Sequence, residues 1–94
     1  MEIKEISKQA KAIWQDEKLS LSRMIVVLGK VFGDICRWER DYVKDKNSHT
    51  DNDLKKELGN LIVCGIKFSE NLGYDPEECI RLALESQKKI SKER

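Results

Sequence analysis

The sequence has few residues that break a helix and no pattern typical of a strand. It contains one proline and five glycines in 94 residues, and no stretch alternates between apolar and polar residues as a half-buried strand does. Apolar residues instead recur at helical spacing in four blocks, which predicts an all-α protein. A chain of this length is expected to form a single domain, 1–94, with a small core.

Long apolar runs and an excess of charge of one sign are also absent. No apolar run approaches the roughly 20 residues of a membrane-spanning helix, and no secretory signal precedes the first charged residues. The 18 Lys and Arg residues nearly balance the 17 Asp and Glu residues, which disfavours binding to nucleic acid through bulk charge. We therefore expect a cytoplasmic protein with neither a membrane nor a nucleic-acid partner.

Cysteine and histidine are too few and too scattered for common metal or redox motifs. The three cysteines, Cys36, Cys64 and Cys79, form no CxxC pair and lie in apolar periodic segments. This placement predicts three reduced thiols in the core. A thiol nucleophile needs a positioned base, and the single histidine, His49, lies in a polar loop.

Capping residues indicate where the second and third helices begin. Ser20 or Ser22 offers a cap for the second helix, and Thr50 or Asp51 offers one for the third. The first helix precedes the interruption "KLSLS". The predicted helices span about residues 3–17, 21–44 and 51–72, with a fourth from 76 onward.

The stretch "NLGYDPEE" predicts the link between the third and fourth helices. Gly73 favours a left-handed helix end, and Asp75 is a good cap for the next helix. Pro76 suits the first helical position, with Glu78 as the acidic residue of a capping box.

The second helix is apolar around more of its circumference than one neighbour can cover. Val26 and Val27 widen its apolar surface, and a helix apolar on most sides is buried on more than one side. We therefore expect a four-helix bundle that is completed by homodimerisation. The main apolar stripe consists of Leu21, Met24, Ile25, Leu28, Val31, Phe32 and Ile35.

Two segments resemble a known family of enzymes. "RMIVVLGKVFGDI", a polar loop and "DLKKELGNLIVCGIKFSENLGYDPEECIRLALESQKK" together resemble the MazG-like all-α nucleoside triphosphate pyrophosphohydrolases. The resemblance covers about residues 14–89 and includes Trp14, the pair Gly33-Asp34 and the "ELGN" around Glu57. It implies a helical bundle that uses Mg²⁺ to split a nucleoside triphosphate into a monophosphate and pyrophosphate. Gly33 is expected to let a neighbouring helix approach closely.

The residues that would hold Mg²⁺ in that family are only partly present in this sequence. The family carries Glu-Glu-x-x-Glu on the second helix and Glu-x-x-Asp on the third. Asp34 and Glu57 keep an acid at two of these positions. Lys30 and Val31 replace the two leading glutamates, and Asn60 replaces the closing aspartate. An ammonium near the ion would repel it by roughly 1 to 4 kcal/mol, so we expect an eroded site in one shared pocket, with weak or no catalysis.

Lys30 and Trp38 each have a structural and a functional interpretation. Lys30 either forms an ordinary i,i+4 pair with Asp34 or contacts a phosphate in place of a metal ion. Trp38, one turn from Tyr42, either stacks on a base or completes the core or a dimer seam. The other charged residues of these helices are interpreted as a solvated mixed-charge face (Arg37, Glu39, Arg40 and Asp41) and as caps (Asp51 and Asp53).

Three functions from different classes follow from the sequence. The preferred one is a dimeric nucleotide- or protein-binding module of MazG-like fold with an eroded metal site. The second is a working Mg²⁺-dependent nucleoside triphosphate pyrophosphohydrolase that uses Asp34 and Glu57. The third is an unrelated helical module for protein interaction.

Overall fold

The computed structural model describes residues 1–15, 17–45 and 50–93, so His49 lies outside the described residues. No strand occurs in these ranges, which confirms the prediction of an all-α chain. The first helix ends three residues earlier than predicted, and none of the described helices is both long and apolar enough to cross a membrane. The helices are α1 (Ile3–Trp14), α2 (Leu21–Lys44), α3 (Asp51–Asn71) and α4 (Pro76–Glu93).

Side-chain caps fix the first residues of α2 and α3, as the sequence predicts. The hydroxyl of Ser20 accepts a hydrogen bond from the backbone N–H of Arg23 at 3.2 Å. At α3, the hydroxyl of Thr50 accepts from the N–H of Asp53 at 3.3 Å, and the carboxylate of Asp53 accepts from the N–H of Thr50 at 3.0 Å. This reciprocal capping box satisfies two backbone donors that a helix start leaves unpaired.

The link between α3 and α4 has the predicted left-handed glycine and the predicted Asp75 cap. Gly73 is left-handed, with φ +83°, and its N–H donates to the carbonyl of Glu70 at 2.9 Å. The N–H of Tyr74 donates to the carbonyl of Ser69, also at 2.9 Å, which completes a Schellman motif. Asp75 then caps α4 by accepting from the N–H of Glu77 at 3.1 Å.

The helix α3 is central, since it packs against each of the other three helices. The core joins Met24 and Val31 of α2 to Cys64 and Phe68 of α3. Trp14 of α1 meets the ring of Phe68 edge-on, with ring centroids 6.1 Å apart. Leu19, Val27, Leu28 and Leu61 pack around this cluster.

The single chain leaves much apolar surface uncovered. Its accessible surface is 7578 Å², whereas a compact monomer of 10.9 kDa has about 5,600 Å². Its radius of gyration is 15.6 Å, against about 12 Å for a compact domain of this length. The predicted apolar stripe of α2 is therefore divided into a covered and an uncovered part. Leu21, Ile25 and Phe32 of that stripe are exposed, and so are Val43 near the end of α2 and Leu58 and Ile62 of α3.

The three cysteines differ in their surroundings. Cys64 is buried in the core, and this burial raises the pKa of its thiol. Cys79 is half-buried, whereas Cys36 is exposed. The prediction of three core thiols is therefore wrong for Cys36, because no other part of the described chain covers its side of α2.

The two glycines of α2 do not mark a close helix contact within the chain. A Cβ added at Gly29 or Gly33 would meet no atom within 4 Å among the described neighbours. The expectation that Gly33 lets a neighbouring helix approach is therefore wrong for the helices of one chain.

Candidate functional site

A polar cleft of about 500 Å³ lies between α2 and α3. Its α2 side chains are spaced by three, four and seven residues, and its α3 side chains by three and four, so each set lies on one helix face. The lining includes four carboxylates, two cations and one aromatic ring. These residues are Asp34, Arg37, Trp38 and Asp41 of α2, and Asp53, Lys56 and Glu57 of α3.

The carboxylate of Asp34 is paired with two cations of its own helix. Arg37 donates a hydrogen bond to Oδ1, and Nζ of Lys30 lies 3.8 Å from Oδ2. Lys30 is 80% exposed, so its pair with Asp34 contributes only a few tenths of a kcal/mol. Lys30 therefore forms the i,i+4 pair of its structural interpretation, and it does not line the cleft.

The carboxylate of Glu57 has one oxygen with neighbours and one without. Oε1 lies 3.4 Å from Nδ2 of Asn60 and 3.7 Å from Nζ of Lys56. Oε2 is buried and has no hydrogen-bond partner in the described part of the chain. An unsatisfied buried acceptor costs about 1 to 3 kcal/mol, so this oxygen is the atom of the cleft that most needs a donor or a cation.

The structure brings two of the five sequence-predicted positions together in the cleft, Asp34 and Glu57. Asn60 lies beside Glu57 but outside the lining. Val31 is only 8% exposed and packs in the core. The expectation that all five converge on one pocket is therefore wrong for Val31, because its face of α2 packs against α3.

Other residues of the cleft were assigned to solvent or to a cap on sequence grounds. Asp41 and Arg37 line the cleft, although they were interpreted as a solvated face. Asp53 forms the predicted cap and also lines the cleft. The spacing of seven residues from Asp34 to Asp41, and of four from Asp53 to Glu57, is the sequence signal that could have found them.

Trp38 connects the end of α2 to the start of α3. Its indole N–H donates to the carbonyl of Thr50 at 3.0 Å. Its ring stacks on that of Tyr42, with centroids 4.9 Å apart and planes 8° from parallel. One face of the indole is therefore covered within the chain, while the side chain still contributes to the cleft wall.

The cleft residues do not fit the Mg²⁺ cluster that the family resemblance implies. Mg²⁺ requires octahedral oxygen coordination. No three His, Cys, Asp or Glu side chains among the described residues are close enough to hold one ion. Cations also stand beside the acids, since Arg40 lies 3.2 Å from Asp41 and Arg37 contacts Asp34. Among the buried carboxylate oxygens of the described residues, Oε2 of Glu57 lacks a hydrogen-bond partner.

Comparison with protein-family models, with curated proteins and with solved structures gives no match for this chain. The MazG-like resemblance therefore rests on the quoted residues.

Proposed function

We propose that the chain is a divergent MazG-like protein that forms a homodimer and binds a nucleotide in the cleft between α2 and α3, with weak or no hydrolysis. The observation that carries this proposal is the pairing of Asp34 with both Arg37 and Lys30. A carboxylate held by two cations is a poor metal ligand, because the metal ion must displace one cation and is repelled by the other.

The dimensions and chemistry of the cleft suit a nucleotide. Small-molecule sites commonly have volumes of about 300 to 1,000 Å³, and this cleft has about 500 Å³. Trp38 supplies an aromatic surface in its wall, and Arg37 and Lys56 supply donors for phosphate oxygens.

The charge of the cleft favours a nucleotide that brings its own metal ion. Four carboxylates and two cations line the cleft, so their formal charges sum to about −2, which repels other anions. A bare triphosphate is repelled by this charge, whereas Mg²⁺ carried by the triphosphate reduces the repulsion. Oε2 of Glu57 is the protein oxygen available to such an ion.

The uncovered apolar surface supports the homodimer. Each chain exposes about 2,000 Å² more than a compact monomer of its size. Obligate dimers bury about 2,000 to 5,000 Å² in total. The surplus surface of two chains, taken together, falls within that range. The exposed residues Leu21, Ile25, Phe32 and Val43 follow one another at intervals of four, seven and eleven positions on α2, which places them on one face of the helix.

Thermal unfolding and pyrophosphate release, measured with a panel of nucleoside triphosphates, test the nucleotide proposal. We expect nucleotide with Mg²⁺ to raise the Tm more than nucleotide with EDTA does, and to release little pyrophosphate. A ligand at 100 times its Kd stabilises a protein by about 2.7 kcal/mol. The variant Glu57→Gln should lose most of this stabilisation. The matched control is Glu39→Gln, which changes an exposed acid of α2 outside the cleft.

A metal-dependent nucleoside triphosphate pyrophosphohydrolase that uses Asp34 and Glu57 is the second candidate. The unpartnered Oε2 of Glu57 favours it. Pyrophosphate release that is abolished by EDTA and by Glu57→Gln, and retained in Glu39→Gln, would establish this activity in place of the binding module. The absence of both stabilisation and turnover would overturn the nucleotide role and leave protein interaction as the function to test.

A further inference from the structure

A second polar cavity, of about 440 Å³, lies where the end of α1 meets the turn between α3 and α4. It shares no lining residue with the cleft between α2 and α3. Three lysines and one glutamate supply its charged groups. The lining residues are Lys11, Lys18, Lys67, Glu70, Asn71, Gly73 and Tyr74.

The buried lysine in this cavity has only neutral hydrogen-bond acceptors. Lys67 is 3% exposed, and its Nζ donates to Oδ1 of Asn71 at 2.7 Å and to the backbone carbonyl of Glu17 at 3.4 Å. Among the described residues, no ion pair links Lys67 to a carboxylate. Burial of an ammonium costs free energy, and the described residues supply Lys67 with neutral acceptors only, so an anion in the cavity would stabilise it.

Asn71 provides a second, independent indication of a ligand. A lysine can only donate hydrogen bonds, so the amide of Asn71 must turn its oxygen toward Lys67. Nδ2 of Asn71 therefore faces away from the lysine, and it is buried without an acceptor in the part of the chain that the structure describes. A donor without an acceptor, beside an ammonium with no carboxylate partner among the described residues, is the complement of an anionic oxygen.

The local helix ends and Glu70 do not account for all of this positive charge. The C-terminus of a helix favours a nearby cation, which explains one lysine near the end of α3. The carboxylate of Glu70 already has partners, because it accepts a hydrogen bond from the hydroxyl of Ser7 and lies 4.0 Å from Nζ of Lys11. Lys18 and Lys67 therefore remain as the cations available to a ligand.

We propose that this cavity binds a small oxyanion of the phosphate class. Lys67 supplies the buried charge, Nδ2 of Asn71 donates to one oxygen after a small turn of the amide, and Lys18 contacts the ligand from the solvent side. The inference is independent of nucleotide binding between α2 and α3, since neither Lys67 nor Asn71 lies in that cleft.

Amide chemical shifts measured by NMR at constant ionic strength test this inference. Inorganic phosphate and adenosine monophosphate serve as probes for a free ion and for a phosphate monoester, and sodium chloride serves as the reference salt. We expect at least one of the two probes to produce saturable shifts of the Asn71 side-chain amide and of Gly73. The Glu57→Gln variant should keep this response, which separates the result from any failure of the cleft.

The variant Asn71→Asp gives the sharpest contrast. It keeps the shape of the side chain but places a carboxylate beside Lys67. The ammonium then has a counterion supplied by the chain itself. We expect the fold to be retained and phosphate to bind about tenfold or more weakly. Asn52→Asp, which adds the same charge at an exposed position of α3, should leave binding unchanged. Lys67→Met should also lose binding if circular dichroism shows that it is folded. Equal binding by wild type and Asn71→Asp, or no saturable shift with either probe, would overturn the inference.

Discussion

Gly73 is the residue at which the backbone conformation most restricts substitution. Its φ of +83° is left-handed, and a Cβ at this position would meet no atom within 4 Å in the described structure. The cost of Gly73→Ala is therefore the strain of the backbone alone. We expect it to lower the free energy of unfolding by about 1 kcal/mol, as measured by urea denaturation at fixed protein concentration.

Gly29→Ala is the matched control for this prediction. Gly29 also has open space around its added Cβ, but it lies inside α2 with ordinary helical φ. Alanine is favoured over glycine there by up to about 1 kcal/mol, so this variant should be more stable than wild type. Changes of the same sign in both variants would contradict the conformational explanation.

Residues whose partners lie nearby in the sequence could be predicted without a structure. Ser20 and Thr50 cap their helices through atoms only three residues away, so type and position suffice to identify them. Val31 could not be placed in this way. Its burial depends on which face of α2 meets α3, and the apolar residues of α2 extend around more than one face.

At the scale of elements, Thr50 both caps α3 and binds a side chain of α2. Its hydroxyl and N–H form the capping box with Asp53, and its carbonyl accepts the indole N–H of Trp38. The variant Thr50→Ala removes the cap hydroxyl and should lower the free energy of unfolding by about 1 kcal/mol. Chemical denaturation measures this loss, and it should also loosen Asp53, which lines the cleft.

Thr50→Ser is the control, because it keeps the hydroxyl and removes only a methyl group. Serine caps helices at least as well as threonine, so this variant should unfold close to wild type. Equal destabilisation of the serine and alanine variants would show that the methyl group, rather than the cap, stabilises α3.

The cleft illustrates why only part of a site between two helices could be predicted from sequence. Asp34 and Glu57 were found because they stand at positions that resemble a known pattern, and both line the cleft. The sequence identifies Asp53 as a cap, but its place in the cleft lining depends on the packing of α2 against α3. Asp41 likewise pairs with the neighbouring Arg40, so the sequence alone suggests surface charge. Only the packing of the two helices puts Asp41 in the cleft.

At the scale of the whole molecule, α4 contacts the rest of the chain mainly through α3. Its apolar residues Ile80, Leu82 and Leu84 are at least 40% exposed. Together with the uncovered stripe of α2, they form more apolar surface than a stable monomer usually presents. The sequence predicts this surplus from composition and periodicity, because a chain of 94 residues has too few elements to cover it.

The proposed homodimer predicts that one charge in the uncovered stripe of α2 will separate the subunits. Phe32 is 62% exposed in the single chain. If it lies in a dimer seam, the variant Phe32→Glu would bury an unpaired carboxylate there, which is strongly unfavourable. Light scattering after size exclusion should give wild type twice the chain mass of 10.9 kDa and the variant a single chain mass. Ser22→Glu adds the same charge to α2 at an exposed polar position outside that stripe and should remain dimeric. A monomeric wild type, or a Phe32→Glu variant that still pairs, would contradict the dimer and require another explanation for the exposed apolar surface.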